Sequence, residues 1–288
     1  MTSLLTEQEK VRFYKEIETL KQSLENILEF SASNLILFNG RQTENFSSYF
    51  LDIFARFRYN CEGLINLLNA FKEDYRLKIC VNLLLRSICS DVLTAIYLLT
   101  FYDKDDLENK SLKNELDIIS TEFLRSMKKT MVEDHELLKI HNISQSLSIE
   151  EKRESFNNVA KKLLNEEGEI KSRSQLRLTT KEEIKDGLKT NGPFITEEEK
   201  YIRIKNKGFA QFGFSFTVFK YYSQFQHFNL VSKELIENKP FHDTFLMAFT
   251  IDQMLMTMDL ILQVAKSSNS NFREEIKILR DNLVENFA

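Results

Sequence analysis

The sequence predicts an all-α protein, a multi-helix bundle of about eight helices, and three observations carry the prediction. Glycine and proline, which break helices and build tight turns, number only 7 and 2 in 288 residues, against about 7% and 5% in ordinary proteins. Capping boxes, in which a Ser or Thr caps the backbone and a Glu three residues on reaches back, recur at Thr6 with Glu9, Ser148 with Glu151, Thr180 with Glu183 and Thr196 with Glu199. Apolar residues return at steps of three and four, the helical period.

The elements follow in order. The first helix sets Phe13, Ile17, Leu20, Leu24 and Ile27 in one stripe, the face by which it packs. Helices over 47–72 and 74–102 are separated only by Lys72-Glu73-Asp74 and should form an antiparallel hairpin. An acidic stretch leads to a fourth helix over 111–142, and a fifth begins at Ser148 and ends at Gly168. From 165 to 208 apolar density falls and glycines cluster, which marks a polar insertion or linker within a single helical domain spanning 1–288. The aromatic run over 209–237 reads as helix despite the alternation of Phe212, Phe214 and Phe216, because one isolated strand has nothing to pair with. Pro240 breaks that pattern, and helices over 241–266 and 271–287 close the chain.

Composition narrows the class. A hydrophobic share of 42% with 24 Phe supplies a sizeable core, and the formal charge of −4 mixes both signs along the chain, so no global field favours nucleic acid or an anionic membrane. Cys61, Cys80 and Cys89 are odd in number, lack CxxC spacing and lie in apolar runs, which reads as buried free thiols of a reducing compartment, and so as a cytoplasmic protein. The acid Glu7 stands where a signal peptide would carry bases. The most apolar stretches, 81–102 and 244–265, contain Arg86, Asp91, Asp252 and Asp259, which suits buried core helices and argues against a membrane span.

Familiar catalytic signatures fail on spacing. GxGxxG, GxxxxGK[ST] and GxSxG are all absent, so phosphate-loop and nucleophile-elbow chemistry is disfavoured and no cofactor is expected. None of His135, His141, His227 or His242 follows a Glu by three residues, the helical metal-ligand spacing, and no metal is expected. His135 and His141, surrounded by Glu133, Asp134, Glu136 and Lys139, read as solvent-facing. Lys171, Arg173, Arg177 and Lys181 form a short basic run that reads as a solvated surface, with phosphate contact as its functional alternative.

The most unusual polar set is Tyr222, Ser223, Gln226 and His227, at i, i+1, i+4 and i+5 within an otherwise aromatic run, so that on a helix they share one side. The structural reading has these groups bonding internally against Arg86, Asp91 or Asp252. The functional reading makes His227 an acid, a base or a ligand-orienting group, with Arg86 binding an anion. Asp252 and Asp259 are seven apart on a methionine-rich helix, where Arg86 or Arg58 is the expected counter-ion.

At Leu83-Leu84-Leu85-Arg86-Ser87-Ile88-Cys89-Ser90-Asp91, then Tyr97-Leu98-Leu99, and again at Tyr221-Tyr222-Ser223-Gln224-Phe225-Gln226-His227, the chain resembles a family of uncharacterised bacterial all-α proteins that is similar to HEPN-like helical bundles. The resemblance spans about residues 49–265, including a Lys/Glu helix like 180–188. It implies a helical bundle, and many HEPN domains are metal-independent ribonucleases of toxin or defence systems, often acting as dimers. Their Arg four to six residues before a His has no counterpart here, since Arg203 is the nearest Arg before His227. Ribonuclease activity would therefore need Arg86 and His227 to meet from different helices. Two expectations follow. The first is a helical binding or regulatory module with structural polar residues, for which a homodimer is a partner to test. The second is a HEPN-related nucleic-acid-processing enzyme using Arg86, Tyr222, Ser223 and His227.

Overall fold

A computed structural model of the chain describes residues 5–38, 45–106, 108–141, 147–192, 194–226 and 241–287. Among the described residues there are eleven α-helices, and the sole β feature is an isolated bridge between Leu164 and Ile170. The helices are α1 Glu7–Ile36, α2 Asn45–Glu73, α3 Lys78–Leu99, α4 Lys110–Ile140, α5 Ile149–Ala160, α6 Arg173–Leu176, α7 Lys181–Lys185, α8 Glu197–Asn206, α9 Gly213–Ser223, α10 Phe241–Val264 and α11 Phe272–Phe287. The all-α class stands, and the count of about eight is corrected. The extra three are α6, α7 and α8: the capping-box sequences at Thr180 and Thr196 mark the starts of α7 and α8, and the 4 residues of α6 are too few for a 3.6-residue period to register.

Contacts divide the chain into two compact units, one of Met1–Tyr97 with Lys207–Ala288 and one of Leu98–Asn206. In the first unit α1 buries the expected stripe, Phe13 to Ile27, with every member at most 2% exposed. Its N-terminus closes as the capping box predicts, Thr6 N–H donating to Glu9 Oε2 at 2.9 Å and Glu9 N–H to Thr6 Oγ1 at 3.3 Å. The stripe packs on α2, where Phe13 meets Phe71 edge-on at 5.5 Å between ring centroids. The hairpin of α2 and α3 is present: Arg56 pairs with Asp91 at 2.9 Å, and a Cβ on Gly63 would lie 3.1 Å from Leu84 Cδ1. Phe212 and Phe216, four apart, are buried while Phe214 is exposed, so their alternation is helical after all.

α10 is the core element of this unit, with Met254, Leu255, Met258, Ile261 and Leu262 fully enclosed. Helices α3 and α10 are long and apolar enough to cross a membrane by length and composition alone, and 56% and 67% of their most apolar windows are buried inside the protein. Cys61 and Cys89 are buried as expected, and burial pushes the Cys61 thiol up to about 12. Cys80 is exposed, contrary to expectation, because it lies with Leu83 on the outer side of α3, away from the buried Lys78, Val81 and Leu85.

In the second unit Leu124, Phe156 and Ala160 form a small apolar cluster, and the segment over 165–206 folds as short helices and turns. α7 ends in a Schellman turn, Leu188 N–H donating to Glu183 O at 3.0 Å and Gly187 N–H to Ile184 O at 3.1 Å. Gly187 holds φ at +99°, and a Cβ there would stand 2.5 Å from Ile202 Cγ2. Gly187→Ala should therefore cost about 1–3 kcal/mol, read as a lower urea midpoint with a normal helical spectrum. An unchanged midpoint would show that the turn does not constrain this unit.

Candidate functional site

α3 carries Lys78, Asn82 and Arg86 at four-residue steps, which brings three polar side chains to one side of an apolar helix. Lys78, 1% exposed, donates from Nζ to Asp243 Oδ2 at 3.3 Å, and Asp243, 2% exposed, also accepts from Tyr221 OH at 3.2 Å. Burial raises the Asp243 carboxyl above its usual range, with the Lys78 charge pulling the other way. Tyr221 is pushed well up by burial and then by the neighbouring carboxylate, so its hydroxyl stays protonated and donates. The Lys78 ammonium also lies 5.8 Å from the Phe225 ring centroid, and the Tyr221 ring meets His242 edge-on at 5.6 Å.

Arg86 and Ser223 do come together. Arg86 Nε donates to Ser223 Oγ at 3.0 Å, Ser223 Oγ donates onward to the Phe219 carbonyl at 2.7 Å, and the guanidinium covers the Phe219 ring at 4.6 Å. Tyr222 takes another direction: it is fully buried and shares a hydrogen bond with Thr250 Oγ1 at 3.3 Å. Burial raises its hydroxyl far above the ordinary value. α9 stops at Ser223 and passes into a 3-10 turn over Gln224–Gln226, so the single helical face expected for Tyr222, Ser223, Gln226 and His227 does not extend through the four. His227 and the Gln226 side chain lie outside the described residues.

The acids Asp91, Asp252 and Asp259 have these partners. Asp91 is buried and pairs with Arg56 of α2 at 2.9 Å. Asp252 is held by Arg280 at 2.6 Å and 3.3 Å, and Asp259 lies 3.9 Å from Arg273, where Arg86 or Arg58 was expected. The reason is topological: α11 returns antiparallel along α10, so residues summing to 532 face each other.

The basic run of the second unit is also corrected. Arg173 and Arg177 are 3% and 9% exposed. Arg173 pairs with Glu199 at 2.9 Å and Glu122 at 3.5 Å, and Arg177 pairs with the fully buried Glu115 and donates to Lys189 O at 3.3 Å. The capping glutamate Glu199 gives its own N–H to Thr196 Oγ1 at 3.2 Å, while its carboxylate turns inward to Arg173 and the Lys189 N–H. These arginines hold the fold and are closed to a phosphate. His135 is half-buried and His141 exposed, and among the described residues no three His, Cys, Asp or Glu converge to hold a metal.

Sequence reasoning missed Lys78, Asp243 and Asn82. Lys78 and Asp243 sit in the first turns of their helices, where charge is ordinarily solvated. Asn82 is enclosed with neither amide atom hydrogen-bonded among the described residues, at a cost of about 1–3 kcal/mol. No family model, no curated protein and no solved structure matches this chain.

Lys78→Met leaves a buried carboxylate unpaired and should destabilise by about 3–5 kcal/mol. Adding Asp243→Leu should restore most of that loss, because two apolar side chains replace two buried charges. The check is a double-mutant cycle by denaturant unfolding. Purely additive losses would mean that the two groups do not act as a pair.

Proposed function

We propose that this chain is a helical binding or regulatory module that works by docking rather than by catalysis. What carries the reading is that, apart from Asn82, the polar groups singled out for chemistry are satisfied within the fold: Lys78 by Asp243 and Tyr221, Arg86 by Ser223 and Phe219, Tyr222 by Thr250, and Asp252 by Arg280. A catalytic group needs an open valence towards a substrate. These groups face one another. The two membrane-length helices then read as the core of a water-soluble protein of a reducing compartment, in keeping with three cysteines outside any disulfide among the described residues.

One observation favours the enzyme reading that the HEPN resemblance implies. Arg86 is half-buried beside Ser223, one turn from the orphaned amide of Asn82, an arrangement that could hold a phosphate oxygen if the helices parted.

The two readings separate on one experiment. The full chain, incubated with single-stranded RNA in metal-free buffer, should leave the RNA intact. Arg86→Ala should lower stability by about 1–3 kcal/mol through its lost ring contact and hydrogen bond. Cleavage by the wild type that Arg86→Lys abolishes without shifting the melting temperature would replace docking with catalysis.

A further inference from the structure

α10 carries apolar residues around most of its circumference, the pattern of a helix largely covered by its neighbours. One stripe of it is nevertheless uncovered. Phe245, Phe249, Asp252, Met256, Leu260 and Gln263, at steps of three and four, are all half-buried or exposed, with Phe245 at 47%. This stripe floors a groove. α11 forms one wall, and Gln211, Phe212 and Phe214 form the other, Phe214 standing 4.4 Å from Phe249 between ring centroids.

The groove has two halves. At the Phe245 end a cavity of about 280 Å³ is bounded by Phe249, Leu283, Val284 and Phe287. At the Gln263 end a cavity of about 380 Å³ is bounded by Met256, Leu260, Arg273 and Lys277. The Asp252–Arg280 pair stands between them. From Phe245 to Gln263 the floor runs about 27 Å at 1.5 Å per residue.

We infer that this groove receives an amphipathic helix of a partner protein, its apolar face on the phenylalanine half and its acidic end against Arg273 and Lys277. The inference rests on the binding reading above and names its partner class. Helical shape follows from the floor, whose open residues repeat as ridges that another helix's i, i+3, i+4 and i+7 side chains fit between. Acidity follows from the cations. Lys277 is exposed with no acid in ion-pairing range among the described residues, and Arg273, 65% exposed, lies 3.9 Å from Asp259. A bilayer suits the groove less well, since it is concave and carries Asp252 and Asp259 among its apolar residues. A second copy of the same face would set hollow against hollow.

The test uses the full chain and a synthetic 18-residue helix-forming peptide with leucines at i, i+3, i+4 and i+7 and three glutamates at one end, followed by fluorescence anisotropy. Its control carries lysines in place of those glutamates. The acidic peptide should bind at least about tenfold more tightly than the control. Arg273→Glu with Lys277→Glu should reverse that preference, and Phe245→Glu or Val284→Glu, at exposed positions that leave the core intact, should abolish binding of both peptides. No binding, or binding indifferent to peptide charge and to Phe245→Glu, overturns the proposal. So does a wild-type dimer in sedimentation that Phe245→Glu dissociates, which would assign the groove to a second copy, or binding to phosphatidylserine vesicles lost in the same variant. If RNA stays intact while the peptide fails, the groove assignment alone falls; if RNA is cleaved, the binding reading falls with it.

Discussion

The buried pair of Lys78 and Asp243 is the constraint on which the first unit depends. Its helices are held mostly by apolar contact, and apolar contact alone specifies position poorly, since α10 is apolar around most of its circumference outside the open stripe that holds Asp252 and Gln263. The ion pair removes that ambiguity. It fixes the first turn of α3 to the first turn of α10, and Tyr221 brings the end of α9 to the same carboxylate. Two charges taken from water gain little net stability, but every rotated arrangement would leave one of them alone in the core. Here the pair acts on register, as buried polar residues do in coiled coils.

The second unit meets the same need with more charge. Glu115, Glu122 and Glu199 from α4 and α8 receive Arg173 and Arg177 from the short segment around α6. That segment has too few apolar residues to hold itself by burial, and its helices of 4 and 5 residues have too few internal hydrogen bonds to persist alone. Guanidinium groups hydrogen-bonded to fixed carboxylates, Arg173 to Glu199 and Glu122 and Arg177 to Glu115, supply direction that a sparse core does not. The same side chains that read in sequence as a basic surface are therefore the internal ties of this unit.

What the sequence made legible was local. The stripe of α1, the capping boxes at Thr6, Ser148 and Thr180, and the helix starts after Pro240 and Asn271 all depend on residues within one or two turns of each other, and each recurs in the structure. The meeting of Arg86 with Ser223 was also anticipated, because each stood out as polar in apolar surroundings. What escaped was pairing at a distance. Arg177 and Glu115 are 62 residues apart, Lys78 and Asp243 are 165 apart, and nothing in their local context separates a buried charge from a solvated one. α6 escaped because a 3.6-residue period needs several turns to appear and it has 4 residues.

On the proposed reading, interior polarity serves architecture and binding takes place on the surface of the first unit, along the uncovered stripe of α10. The most direct test is whether that interior is closed. Brief acetic anhydride labelling of the native full chain at neutral pH, with each lysine quantified by mass spectrometry, compares the enclosed Lys78 with the exposed Lys277. The account predicts that Lys277 is acetylated freely and that Lys78 reacts only when denaturant unfolds the chain. Acetylation of Lys78 in the native protein at a rate like that of Lys277 would make it a solvent-reached amine, and would contradict a structural role for the polar core.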